Sequence, residues 1–185
     1  EGHMVCTRLS YGQASEFNSH PSNHLTKNSF EKEPLYNILM QTFLPYESFK
    51  ESAKALDYRR LGKQRVEVLQ LLNSIKKIKN NEPVKGWKNH PARKMWYNDK
   101  GDFSNALCLY GLSICKEWKR RGYKDTCTEK IEAHFDKSKP VIYPSFIKDA
   151  RVHLSHRSNL IKKDKEYYKE KFKRVGKEIE YFWSY

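Results

Sequence analysis

Between Arg59 and about Asn80 the apolar residues Leu61, Val68, Leu72 and Ile75 recur at intervals of seven, four and three, and only a helix gathers such positions on one face. The stretch ends in a lysine-rich turn, where cations complement the helix dipole. A second stripe, Phe103, Leu107, Tyr110, Ile114 and Trp118, stops at Arg120-Arg121-Gly122, a basic last turn followed by a glycine. Nowhere does the sequence alternate as a half-buried strand does, and no internal repeat occurs. The expected fold is therefore all-α, a compact single helical domain with loop-rich connections.

Shorter helices fill the intervals. After Pro45, Ser48 is placed to cap a helix with Glu51 three residues on, followed by Phe49, Ala53 and Leu56. Asn80-Asn81-Glu82-Pro83 breaks the long helix, and Pro91 opens another through Met95 and Trp96. A weaker helix is expected from Thr126 to Phe135, and one from Phe146 to Lys163 after Pro140 and Pro144, ahead of an aromatic, basic tail. Residues 1–39 read as an N-terminal extension to a domain spanning 40–185. Its opening Glu1-Gly2-His3-Met4 reads as the scar of a cleaved tag, and its end, Leu35 to Leu39, as a short packing arm.

Lysine and arginine total 36 against 22 acidic residues, a net +14, and the extension contributes −1, so the domain carries +15. Such an excess favours a polyanion through phosphate contacts and counterion release, and an aromatic content of 14% suits base stacking. Cys6, Cys108, Cys115 and Cys127 show no C-x-x-C spacing, and no secretory or membrane-length apolar run is present. These features point to a reduced, intracellular protein: cytoplasmic, nuclear, or viral and acting in its host. No membrane partner is expected, and a monomer is. Neither a metal nor another cofactor is expected: His90, His134, His153 and His156 lack zinc-site spacing, and no phosphate-binding glycine loop or nucleophile elbow occurs.

Candidate chemistry lies in three places. Arg60, Gln64 and Glu67 stand at i, i+4 and i+7 of the long helix, setting one carboxylate among the cations Arg59, Lys63 and Arg65. Such a carboxylate serves as general acid or base or steadies an oxocarbenium-like sugar; an ordinary helical ion pair is the plainer alternative. The loop Gly86 to Pro91 supplies Trp87 as a stacking plane, Asn89 as an amide reader and His90 as an imidazole, although Trp87 also suits a core lid. Near the C-terminus His153, His156, Arg157 and Lys162, with Ser155 and Ser158, form a candidate phosphate clamp.

Taken together, Leu56-Asp57, Leu61, Glu67, the Gly86-Trp87-Lys88-Asn89-His90-Pro91 loop, Arg121-Gly122-Tyr123, Ser155-His156-Arg157 and Tyr167-Tyr168 resemble the pyrimidine-dimer DNA glycosylase family, typified by a phage endonuclease of UV repair. The resemblance covers roughly residues 40 to 175. It implies a compact helical enzyme that binds damaged double-stranded DNA, cuts the glycosidic bond and then the backbone as an AP lyase. It puts Glu67 at the essential glutamate, Arg157 near a phosphate-gripping arginine, and Arg60 where the phage-type enzyme has a histidine.

One departure concerns the nucleophile. Phage-type enzymes attack the sugar with a free N-terminal amine, whereas here Met40 matches the family start, Gln41 follows it, and a leader precedes both. Lys63 is the nearest substitute amine, and without one Glu67 would position water and release the base alone. The substrate class implied is a damaged or modified base, pyrimidine dimers included. The rival reading is a non-catalytic DNA- or RNA-binding module on the same basic scaffold.

Overall fold

The computed structural model describes residues 41–173, 175 and 179–185; the expected tag scar, packing arm and N-terminal extension lie outside them. The domain is all-α. Its helices are α1 (Phe49–Ala55), α2 (Tyr58–Lys79), α3 (Pro91–Trp96), α4 (Ser104–Arg120), α5 (Thr128–Glu132), α6 (Ala150–Lys163) and α7 (Lys165–Lys169). Single 3-10 turns stand at Trp87–Asn89 and Ser145–Lys148. No helix among the described residues is long and apolar enough to cross a membrane.

Local chemistry sets these boundaries. Ser48 accepts from the Glu51 N–H, Asp57 from those of Arg59 and Arg60, His90 from Ala92 and Asp149 from Arg151, so α1, α2, α3 and α6 each start on a side-chain cap. The Asp149 cap corrects the expectation of one helix from Phe146: a 3-10 turn comes first, and α6 begins only at Ala150. Two elements were invisible to periodicity. The antiparallel pair Tyr97–Asn98 with Gly101–Asp102 is too short to alternate, and α7 spans five residues.

The core forms where α2 and α4 pack together, with α1, α5 and α6 around them. Leu61, Val68, Leu71, Leu72 and Ile75 of α2 and Leu107, Tyr110 and Ile114 of α4 are buried. Backbones approach closely at Gly111, where an added Cβ would come within 2.6 Å of Val68 Cγ1. Trp96 stacks near Tyr110 at 6.1 Å, and Phe49 meets the Tyr110 ring edge-on at 5.5 Å.

The Arg121-Gly122-Tyr123 motif serves this packing. Gly122, at φ +84°, ends α4 in the left-handed region. Arg121 donates to the α1 carbonyls of Lys54 and Leu56 at 3.0 and 2.8 Å, and Tyr123 stacks on Trp118 at 4.2 Å.

Candidate active site

An extended segment, Gln41 to Tyr46, enters the domain between α2 and α6 and is held from both sides. From α6, His153 Nδ1 contacts the Leu44 carbonyl at 2.8 Å and Arg157 Nε donates to Pro45 O at 2.6 Å while lying over the Tyr46 ring at 4.6 Å. His156 Nδ1 accepts from the Leu44 N–H at 2.9 Å, so the neutral ring carries its proton on Nε2 and donates to the adjacent Gln41 side-chain amide, which accepts through its oxygen. His156 is fully buried, and its pKa falls to about 3 through burial first and His153 second, so the ring is neutral.

From α2, Gln64 meets the same segment. Its Oε1 accepts from the Phe43 N–H at 3.0 Å and the Tyr110 hydroxyl at 2.7 Å; its Nε2 donates to Gln41 O at 2.5 Å and to Glu67 Oε2. One turn of helix thus ties the segment to the carboxylate. The Gln41 backbone N–H also bonds the Glu67 carboxylate, and Lys63 Nζ lies 3.5 Å from Glu67 Oε1. Burial nevertheless dominates: Glu67 is 5% exposed, and loss of solvent pushes its carboxyl up to about 7 against the pull of Lys63 and Lys163. A carboxyl titrating there exchanges protons readily at neutral pH, as general acid–base work requires.

Cations gather at this point because the start of α2 meets the end of α6. Arg60 donates to Lys163 O at 2.8 Å and bridges Asp57 and Asp164 at 3.2 and 3.4 Å. Arg59, Lys63 and Lys162 are exposed around the junction, whereas the Lys163 ammonium is partly withdrawn from water. The Lys163 ammonium is lowered from its ordinary value, by burial first and then by Arg60 and Lys63.

Several expectations need correction. Glu67 does not stand open in a groove but lies beneath its neighbours. Arg60 shares the helix with Gln64 and Glu67 yet turns to Asp57 and Asp164, making it a brace. Arg65 is buried, pairs with Asp125 at 2.5 Å and lies over Trp118 at 4.2 Å, out of reach of phosphate. His156 is sealed in the core, and His153 spans the carbonyls of Leu44 and Ile147, so neither is free to grip DNA. His90 is buried and caps α3, with Trp87 half-buried against its ring at 5.0 Å. Asn89, Arg59 and Lys162 remain exposed, and Arg157 is half-buried.

Four participants escaped the sequence reading: Gln41, Tyr110, Lys163 and Tyr181. Tyr181 belongs to a C-terminal strap, Ile179 to Tyr185, anchored by the Ile179 N–H on Ser158 Oγ at 3.1 Å and by Asn159 Nδ2 on Ile179 O at 3.0 Å. Its ring meets His156 edge-on at 5.8 Å, and Trp183 follows at 5.6 Å. The aromatic character of the tail was the available signal, but nothing in it assigned one ring to this site. Among the described residues no group of three or more histidine, cysteine or acidic side chains is arranged to hold a metal ion.

Comparison with known proteins gives one finding: residues 40–131 match the family model described as pyrimidine dimer DNA glycosylase. No curated protein and no solved structure matches the chain. The matched span contains Gln41, Gln64, Glu67 and Tyr110, and ends before α6 and the strap.

Proposed function

Because residues 40–131 belong to the pyrimidine dimer DNA glycosylase family, we propose that the chain is a DNA-repair glycosylase that removes a damaged pyrimidine, a dimer foremost, from double-stranded DNA with Glu67 as its acid–base group. The observation that carries this reading is the Glu67 carboxyl, buried, oriented by Gln64 and the Gln41 N–H, and raised to about 7 amid an otherwise cationic junction. Exposed Arg59, Lys63 and Lys162 engage phosphates, and the damaged nucleotide leaves the stack to reach the carboxylate. At the sugar, Glu67 as carboxylate stabilises the positive charge that grows as the glycosidic bond breaks and takes a proton from the water that completes the exchange.

Lyase action requires a neutral amine at the same place. Three nitrogens surround Glu67: Lys63 Nζ, Lys163 Nζ and the backbone nitrogen of Gln41. The last is an amide in this chain and becomes an amine only in a form beginning at Gln41. Base release without backbone cleavage is therefore the expected activity of the full chain, with lyase action in the form that starts at residue 41.

The test uses duplex DNA carrying a thymine dimer for base release and duplex DNA carrying an abasic site for borohydride trapping. Dimer processing that disappears in Glu67→Gln while DNA binding persists supports the reading; Glu67→Gln without effect returns the chain to a binding module. Mapping a trapped adduct to residue 41, Lys63 or Lys163 identifies the amine.

A further inference from the structure

Tyr181 presents a buried hydroxyl with no hydrogen-bond partner among the described residues, a costly arrangement to keep. The charge that acts on it is Glu67, and burial together with that charge holds the phenol well above its ordinary pKa, so it stays a neutral O–H donor throughout the working range. The ring itself is well held, by His156 on one side and Trp183 on the other. A fixed, protonated donor, packed on the His156 that holds the entering segment, thus stands within electrostatic reach of the carboxylate proposed above, delivered by a segment outside the family-matched span.

Resting on the glycosylase reading, we propose that Tyr181 is a further catalytic residue, its phenol donating a hydrogen bond to the carbonyl oxygen of the departing pyrimidine. The glycosidic C–N bond breaks and its electron pair leaves with the base. Negative charge then spreads onto the ring carbonyl, which accepts from Tyr181. Water closes the sugar carbon and passes its proton to Glu67, while the base anion takes a proton from solvent. The two groups divide the charge separation: Glu67 faces the cationic sugar, and Tyr181 the anionic base. A donor that is unpaired before substrate arrives and paired as charge develops favours the transition state over the free enzyme.

The experiment compares the full chain, Tyr181→Phe and Glu67→Gln on a duplex with a single thymine dimer under single-turnover conditions. Tyr181→Phe keeps the ring that packs on His156 and removes only the hydroxyl, so its melting temperature is expected to hold or rise slightly. The rate of glycosidic-bond cleavage, after which the base stays tethered through the dimer, is expected to fall about a hundredfold, with half-saturating DNA concentration within about twofold of the parent. A rate equal to the parent's, with Glu67→Gln inactive, overturns the Tyr181 assignment alone. A lowered melting temperature with an unchanged rate assigns Tyr181 a packing role and overturns it too. Undiminished release by Glu67→Gln, or none by the parent, removes the underlying reading and this proposal with it.

Discussion

Glu67 on α2 and Glu117 on α4 each leave 5% of their surface exposed and each has cations for neighbours, yet Glu67 lies deeper in the protein and their carboxyls move in opposite directions. Glu117 is gripped by Arg120 at 2.6 and 2.8 Å and by Arg121 at 2.7 Å, and these bonds hold it at about 2. Glu67 receives an amide, a backbone N–H and a lysine no nearer than 3.5 Å, too little to offset its lost hydration, and it rises to about 7. Burial alone therefore does not define a reactive carboxylate. Two things separate them: the Glu67 carboxyl lies deeper and loses more hydration, and guanidinium groups saturate the oxygens of Glu117 but leave those of Glu67 weakly compensated.

The widest separation should come from neutralising each acid in turn. Glu67→Gln should lower base release by about a hundred- to ten-thousandfold, with DNA affinity in a gel-shift assay changed less than about twofold. Glu117→Gln should leave the rate per folded molecule intact while costing about 3 kcal/mol in urea unfolding, because Arg121 loses its anion inside the α1–α4 contact. If Glu117→Gln instead lost the chemistry and Glu67→Gln the stability, the contrast would be inverted.

Acidity sharpens it further. The Glu67 carboxyl is raised on folding, so protonation favours the native state. Its stability is undiminished below about pH 4.5 and is lost as the pH climbs through 7, by about 3 kcal/mol once ionised. Glu117 is depressed, so its contribution, about 3 kcal/mol, is present above pH 4.5 and lost as the pH falls toward 2. Relative to the parent, Glu67→Gln should thus be more stable at pH 8 and equal at pH 4, whereas the deficit of Glu117→Gln should shrink on acidification. Thermal melts across that range read both trends, and a rate profile for the parent should bend near pH 7.

The smallest effect is expected from Lys162→Ala. Loss of one exposed phosphate contact should weaken DNA binding a few-fold, lower the salt slope by about one and leave both carboxylates unaltered. An unchanged salt slope would place DNA on another face.

Helical periodicity revealed the large elements because the stripes of α2 and α4 are long, and it placed Gln64 and Glu67 on one face because that relation is local. Their partners were not legible. Gln41 meets His156 across 115 residues, Tyr110 meets Gln64 across 46, and Tyr181 reaches the site from the far end of the chain. Cation counting also overreached, since a buried Arg65 paired with Asp125 and an exposed Arg59 look alike in a sequence. The motifs that carried the family resemblance proved largely architectural: His90 caps a helix, Arg121 clasps α1, and His156 with Arg157 clamps the entering segment.

Gln64 uses both amide hydrogens and both lone pairs of its oxygen, two of these bonds on the Gln41–Phe43 backbone, one on Tyr110 and one on Glu67. Turned end for end it would set oxygen against oxygen and N–H against N–H, so its orientation is unique. A molecule whose Gln41–Tyr46 segment has not seated leaves that amide without two of its four partners and the acid without the Gln41 N–H. The fold thereby couples assembly to the site: a copy whose entering segment is unseated keeps its basic surface but has no aimed carboxylate.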